Sequence, residues 1–257
     1  MKKKIFILVD WENLRRRLTN LQGGCPKFGP PNFDYNNMDH LKAFLKAFLE
    51  PDEELRCIYF YLSESFVEAE ARIIKDTHRK EKIEEYKENY PKEYEKFKSQ
   101  SDLIQKFKHD LGNYMGFPKN IQTGKLKFKF EKVPCIEYIG NKPVLTKREK
   151  MFIEQKQVDM LLGIDLVCLP DEICKNDDRI LLFCQDSDLV PALKRKRDVR
   201  LQKNVKIFIG RMKGFSPLPV DLKQVCDGIR ECSVEDILKI IPKEAVFSAK
   251  LKKTNRP

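Results

Sequence analysis

The sequence is poor in the residues that build zinc sites and disulfide frameworks. Only three histidines are present, His40, His78 and His109, and none of the eight cysteines forms a Cys-x-x-Cys pair. A zinc site needs clustered Cys and His ligands, which this spacing does not supply. Thiols scattered through apolar segments are typical of a reducing compartment, so we expect a cytoplasmic protein without disulfide bonds.

The chain also lacks a long hydrophobic run. The apolar segment that begins at Ile5 already ends at Asp10, which makes it too short for a signal peptide. No other stretch approaches the about 20 apolar residues of a membrane span. We therefore expect a protein that does not enter a membrane.

Negative charge is outweighed by positive charge, and the formal net charge is +11 at pH 7. Lys and Arg side chains that neutralise phosphates release condensed counterions, so a basic surface favours polyanions. A basic excess is also found on proteins that never bind nucleic acid. Charge by itself therefore leaves both interpretations open.

Apolar runs alternate with amphipathic segments along the chain. The continuous runs Ile5–Val9 and Arg179–Cys184 predict strands that are buried on both faces, and Leu55–Leu62 predicts a further strand. Helical periodicity between the strands predicts an α/β fold, with a mainly parallel sheet and helices on both faces. Residues 64–100 are dominated by Glu and Lys and predict a charged helical insertion.

This pattern predicts a single domain over residues 1–245, followed by a basic flexible tail over residues 246–257. Within the domain, we expect a short hairpin arm over residues 135–145 and a helix over Gln155–Leu169. A further helix is expected over Leu189–Leu201.

Polar side chains follow two of the buried strands directly. Asp10 follows the first strand, with Asn13 just beyond it, and Asp186 and Asp188 follow the strand that ends at Cys184. Ligands of parallel α/β sheets bind outside the carboxyl ends of the strands, so we expect these side chains to face one site.

A predicted helix supplies a third source of carboxylates. Asp159 lies near its start, and Asp165 lies six residues further along. At 3.6 residues per turn the two side chains are rotated by about 120° from each other. Asp165 therefore ranks below Asp159 as a ligand.

Crowded carboxylates repel one another and persist mainly where a cation neutralises them. Hard oxygen ligands suit Mg²⁺ or Mn²⁺, and such an ion can bind a phosphodiester and lower the pKa of a bound water. Asn13 adds a neutral group that can hold a water or a phosphate oxygen. An aspartate after a strand is more often a helix cap, and Asp188 before Leu189 fits that ordinary role well.

Basic and aromatic side chains near these segments are candidates for binding the substrate, although a solvated helix face would look the same. Trp11 could stack on a base, but core packing is its more usual role. The basic candidates are Arg15, Arg16, Arg17, Lys156 and Lys194 to Arg197, of which Arg195 is one.

Three segments, Phe6–Leu14, Lys156–Leu166 and Leu182–Pro191, resemble the three motifs of NYN domains, which are PIN-like nucleases that include the LabA-like group. Residues 222–227 also resemble a segment near the end of that domain. The resemblance covers roughly residues 4–240, with the charged insertion as an interruption.

The resemblance implies a Rossmann-like (PIN-like) parallel sheet and a Mg²⁺- or Mn²⁺-dependent nuclease that usually acts on RNA. By position, Asp10, Asp159 and Asp186 would be the metal-binding carboxylates. Asn13 and Asp188 would complete the catalytic site, and Asp165 would support the metal.

Two positions depart from the motifs of the family. Gln185 stands where Gly is common, which narrows the room for a phosphate, and Leu189 stands where an aromatic residue is common. Neither change removes a carboxylate, so we expect activity to survive.

The leading hypothesis is thus a metal-dependent phosphodiesterase, an endoribonuclease in the first place, with DNA as the alternative substrate. A second is an RNA-binding regulatory module that keeps the fold and has little activity. A third is a Toprim-like enzyme, although that class expects Glu where Asp10 stands. The sequence is compatible with a homodimer and does not determine the oligomeric state.

Overall fold

The computed structural model describes residues 2–140, 142–195 and 201–242. The strands are β1 (Lys3–Asp10), β2 (Glu53–Ser63), β3 (Lys119–Ile139), β4 (Lys142–Lys156), β5 (Arg179–Phe183), β6 (Lys206–Met212) and β7 (Gly228–Cys232). The helices are α1 (Trp11–Gly24), α2 (Met38–Lys46), α3 (Phe66–Ile73), α4 (Thr77–Asn89), α5 (Pro91–Asn113), α6 (Val158–Glu172), α7 (Val190–Arg195), α8 (Val220–Val225) and α9 (Val234–Ile240).

The strands form a mostly parallel seven-stranded sheet within the described residues, in the order β4-β3-β2-β1-β5-β6-β7. Strand β1 pairs in parallel with β2 and with β5, and β6 pairs in parallel with β5 and β7. Strands β3 and β4 form an antiparallel hairpin. The predicted α/β class and the mainly parallel sheet are confirmed.

The chain divides into two compact units. Unit 1 takes in residues up to Leu62, Phe107–Gln122 and the described residues from Val158 onward, and unit 2 consists of Ser63–Lys106 and Thr123–Gln157. The segment predicted as a charged insertion belongs to unit 2, where it forms α3, α4 and the first part of α5. The predicted tail over residues 246–257 lies outside the described residues.

The sheet of unit 1 is buried on both faces, because alternate residues of its central strands enter two separate clusters. Ile5, Ile7 and Val9 of β1 pack with α1 and α2, while Phe6 and Leu8 pack with α6 and α7 on the other face. A strand with apolar side chains on both faces must be covered by helices on both sides. This explains why the first strand is a continuous apolar run rather than an alternating one.

Unit 2 has a smaller core of its own. Phe66, Tyr86 and Tyr94 from its helices pack with Met151 of β4, and Phe128 of β3 stacks on Phe66 with ring centroids 5.1 Å apart. Aromatic side chains bury a large area each, so a few of them suffice to join helices to a hairpin. The lysines of β3 and the acidic residues of α4 remain on the surface.

Two predicted elements have different bounds in the structure. The hairpin arm is much longer than predicted, since β3 and β4 pair from Lys125 with Lys156 to Ile139 with Lys142. The helix predicted from Gln155 begins only at Val158, because β4 continues to Lys156 and Gln157 has a φ of 73°. A left-handed residue cannot lie inside an α-helix, so Lys156 ends a strand instead of starting a helix.

Among the described helices, none combines the length and the apolar character that crossing a bilayer requires.

A buried ion cluster lies at the amino end of the central strands in unit 1. The guanidinium of Arg230 donates two hydrogen bonds to the carboxylate of Glu53, at 2.7 and 2.6 Å, and a third to the carbonyl of Phe48 at 2.9 Å. Arg179 approaches the same carboxylate at 3.3 Å. Glu53 is 6% exposed, so its charge depends on these two arginines for compensation.

We predict that Arg230→Met destabilises the protein by about 3 kcal/mol, because it removes the bidentate partner of a buried carboxylate. Lys4→Met is the matched control, since it removes an exposed ion pair with Glu54 at the same end of the sheet and is expected to change little. Urea unfolding gives both free energies of unfolding. Equal losses in the two variants would contradict the prediction.

Candidate functional site

The carboxyl ends of β1 and β5 lie side by side in unit 1, at the point where the chain changes direction across the sheet. From β1 the chain passes through α1 and α2 to β2 on one side, whereas from β5 it passes through α7 to β6 on the other. The helices α1 and α7 cover opposite faces. In open parallel sheets this arrangement leaves a crevice outside the strand ends, where ligands bind.

Asp10 occupies the end of β1 and is only 5% exposed. Its Oδ1 accepts a hydrogen bond from the backbone N–H of Asn13 at 3.1 Å, which caps α1, and its Oδ2 accepts one from the Sγ of Cys184 at 3.3 Å. Burial raises the pKa of Asp10 from 3.8 to about 6, against the two hydrogen bonds, and the charges of Asp159 and Glu12 raise it further. The fold thus holds a carboxylate where its charged form is disfavoured.

Asp186 lies just beyond β5 and is half-buried. Its Oδ1 accepts from the backbone N–H of Asp188 at 2.9 Å and caps the 3₁₀ turn Ser187–Leu189. The capping role expected for Asp188 therefore falls to Asp186, and Asp188 is exposed. A capping carboxylate uses one oxygen, which leaves the other oxygen available to a ligand.

Asp159 lies in the first turn of α6, as predicted. Partial desolvation raises its pKa first, and the charges of Asp186 and Asp188 raise it further. Because Asp159 also acts on Asp10, four carboxylates from three distant stretches of chain interact electrostatically at this end of the sheet.

Asp165 does not join this group in the structure. Its Oδ2 accepts a hydrogen bond from the Tyr61 hydroxyl at 2.6 Å, one helix turn and more away from Asp159. Burial and this hydrogen bond raise the pKa of Tyr61 above its ordinary value. This hydrogen bond links α6 to β2, and the support of a metal by Asp165 stays a prediction.

The polar groups of α1 are largely engaged with one another. The amide oxygen of Asn13 accepts from the Nε of Arg17 at 3.0 Å, so a phosphate oxygen would be bound by the amide Nδ2 group, which is the donor. Arg15 forms a bidentate pair with Glu12, and the exposed Arg16 lies 3.8 Å from the same carboxylate. Arg17 is the arginine of α1 whose charge interacts with Asp10.

Trp11 is buried and cannot stack on a base in this geometry. Its ring lies against that of Phe107, with centroids 4.0 Å apart and the planes 7° from parallel, and only 6% of the residue is exposed. The core role, which is the usual one for tryptophan, is the one observed.

The remaining basic candidates lie in different parts of the chain. Lys194 and Arg195 are exposed in the last turn of α7 in unit 1, and residues 196–200 lie outside the described residues. Lys156 belongs to unit 2, where it forms an ion pair with Glu154 at 3.0 Å.

The sequence did not predict the polar interactions of two residues at the site, Cys184 and Gln185. Cys184, the last residue before Gln185, donates to Asp10, and its own pKa is raised well above the ordinary value by burial. Gln185 is buried, and its Oε1 lacks a hydrogen-bond partner among the described residues. In the sequence, the feature that could have indicated a role for these two residues is their position just before Asp186.

Within the described ranges, no three His, Cys, Asp or Glu side chains come close enough to hold a metal ion by themselves. The donors are nevertheless hard oxygens, which Mg²⁺ prefers. Mg²⁺ is usually held by one or two carboxylates and completed by waters and substrate phosphates. The residues fit that mode of binding and do not form an all-protein cage.

No family model, no curated protein and no solved structure matches the chain. The fold and the site define an α/β protein with a carboxylate cluster at the strand ends, and the resemblance to NYN domains stays a prediction.

We predict that Asp10→Asn stabilises the protein at pH 8 by roughly 1–3 kcal/mol when a chelator removes divalent cations. The folded-state pKa of about 6 lies above the ordinary 3.8, so the protonated form is favoured in the fold. The contribution of protonated Asp10 to the free energy of unfolding is complete below pH 3.8 and is lost as the pH rises through about 6. The amide removes that loss and can still cap α1.

Thermal or urea unfolding at pH 8 and at pH 4 measures the effect, and the gain should nearly vanish at pH 4. Asp221→Asn, at an exposed position of α8, makes the same chemical change away from the site and should have little effect at either pH. A variant that is less stable than the wild type at both pH values would contradict the prediction.

Proposed function

We propose that the chain is a metal-dependent phosphodiesterase of nucleic acid, with RNA as its substrate in preference to DNA. The observation that carries this proposal is the electrostatic interaction of Asp10, Asp159, Asp186 and Asp188 at the carboxyl end of the sheet. Like charges raise one another's pKa, so the arrangement is costly in the absence of a cation. It becomes favourable when a divalent cation and a phosphate occupy the crevice.

The hydrogen bonds of the site support this interpretation by fixing the orientation of the carboxylates. Asp10 is held by Asn13 and Cys184, and Asp186 is held by the turn that it caps. A bound Mg²⁺ or Mn²⁺ would neutralise phosphate charge and lower the pKa of an attacking water. One or two of the carboxylates of Asp10, Asp186 and Asp159 would hold that ion together with waters and substrate phosphate, and Arg17, whose charge interacts with Asp10, would bind phosphate charge.

The same proposal includes a Rossmann-like or PIN-like fold. Parallel strands with helices on both faces and a change of chain direction at the carboxyl ends of β1 and β5 are what a Rossmann-like or PIN-like nuclease of the NYN type requires. The three segments that resemble NYN motifs contribute Asp10, Asp159 and Asp186. A cytoplasmic location and a homodimer remain predictions from the sequence.

A second candidate is an RNA-binding module with little activity. It is favoured by the fact that both oxygens of Asp10 already accept hydrogen bonds and that, in the described part of the chain, no three ligands share one ion position. The two functions differ in whether the carboxylates are needed for cleavage or only for local structure.

We predict cleavage of labelled single-stranded RNA in the presence of Mg²⁺ or Mn²⁺ and none with a chelator. Asp10→Asn and Asp186→Asn should each lower the rate by about a hundredfold or more, since even residues that only orient metal ligands cost 10–100-fold when mutated. Asp221→Asn is the matched control and should cleave like the wild type. A parallel DNA pool measures the preference for RNA.

Cleavage that survives both site variants, or that proceeds equally with a chelator, would overturn the proposal. If the wild type binds RNA without cutting it, and both variants bind it alike, the module is the correct function.

A further inference from the structure

A cavity of about 440 Å³ lies within unit 2, between the helices α3 and α4 and the strand β3. None of the described residues that line it is acidic. This volume is within the range of small-molecule sites, which is about 300–1,000 Å³. The carboxylate cluster belongs to unit 1, so this cavity is a separate feature.

The helices supply one group of cations to the cavity. Arg72 comes from the last turn of α3, Arg79 comes from the first turn of α4, and Lys82 follows one turn later. The imidazole of His78 also lines the cavity. Cationic side chains near a helix N-terminus oppose the helix dipole and are unfavourable there by about 0.3–1 kcal/mol each. The first turn of α4 contains no acidic residue, and Asp76, which caps the helix, pairs among the described residues with Arg79 alone.

The hairpin supplies the second group of cations. Lys125 and Lys127 of β3 and Lys156 at the end of β4 line the cavity. Lys156 shares Glu154 with Lys129, whereas Lys125 and Lys127 have no ion-pair partner within the described ranges. Exposed lysines that converge without acidic partners repel one another, and an anion would relieve that repulsion.

Some of the cations are already engaged. Arg72 pairs with Glu64 and also donates to the carbonyl of Leu126 at 2.8 Å, and Arg79 pairs with Asp76 at 3.5 Å. These arginines hold the wall of the cavity in place. Lys125 and Lys127 of β3 have no ion-pair partner among the described residues and therefore remain available to a ligand.

Apolar side chains form the rest of the lining. Phe128 and Phe130 of β3 line the cavity together with Ile73 and are half-buried, because they also pack against the core of unit 2. The ammonium of Lys82 lies 5.9 Å from the centre of the Phe130 ring. Basic groups interleaved with aromatic rings are the combination that binds single-stranded nucleic acid, because phosphates meet the cations and bases meet the rings.

We propose that this cavity of unit 2 binds single-stranded RNA. A simple inorganic anion would use the cations and leave the rings without a role. A membrane surface would be met by exposed apolar groups on a convex face, and not by rings inside a concavity. The proposal concerns binding alone and does not depend on cleavage in unit 1.

The test is the affinity of the full chain for a labelled, mixed-sequence single-stranded RNA, measured by fluorescence anisotropy with a chelator at several salt concentrations. The variant Lys125→Gln/Lys127→Gln should weaken binding by about ten- to fiftyfold at ~0.1 M salt. The slope of log affinity against log salt should fall by about 1.4, since each lysine–phosphate contact to a single strand contributes about 0.7.

The control is Lys142→Gln/Lys147→Gln, which makes the same charge change on exposed residues of the same hairpin outside the cavity. It should retain most of the affinity and of the salt slope. Circular dichroism and thermal unfolding of both variants verify that the hairpin remains folded.

Three outcomes would overturn the proposal. In the first, Lys125→Gln/Lys127→Gln binds RNA with the affinity of the wild type. In the second, the control variant loses as much RNA affinity as the cavity variant. In the third, the protein binds phosphatidylserine vesicles and does not bind RNA. If the wild type binds RNA through Lys125 and Lys127 but never cuts it, this proposal stands and the cleavage proposal fails.

Discussion

The burial of the central strands on both faces is the constraint on which the rest of unit 1 depends. Because helices cover both sides of β1 and β5, polar side chains can be accommodated only where these strands begin and end. At the amino end, Glu53 is neutralised by Arg230 and Arg179. At the carboxyl end, Asp10 and Asp186 form no ion pair with a described residue, so this part of the fold has one set of charges that arginines compensate directly and one set that they do not.

The two ends of the sheet thus differ in how a buried carboxylate is compensated. The carboxylate of Glu53 receives hydrogen bonds from a guanidinium, whereas that of Asp10 receives only a backbone amide and a thiol. A neutral donor stabilises a carboxylate less than an arginine does, which is why burial dominates and raises the pKa of Asp10 to about 6. Charges that reduce stability where they lie are typical of binding and catalytic sites.

The sequence was sufficient where a pattern had one structural solution. Continuous apolar runs required buried parallel strands, and the position of Asp10 and Asp186 at their ends followed from that. The sequence did not predict features that depend on a single backbone torsion angle or on a contact between residues far apart in the chain. The left-handed φ of Gln157 moved the start of α6, and Asp165 met the hydroxyl of Tyr61 across 104 positions of sequence. Periodicity contains no information on either.

Gln185 stands where the NYN motifs commonly have Gly, and its buried side chain gives this difference a physical consequence. A glycine before Asp186 would leave space at the end of β5, whereas the glutamine fills that space with a buried amide whose oxygen has no hydrogen-bond partner in the described residues. An unsatisfied buried acceptor costs about 1–3 kcal/mol. A hydroxyl or water that donates to this oxygen would recover that free energy, and the 2′-hydroxyl that distinguishes RNA from DNA is such a donor. In the proposed nuclease, this unsatisfied acceptor would therefore favour RNA over DNA as the substrate.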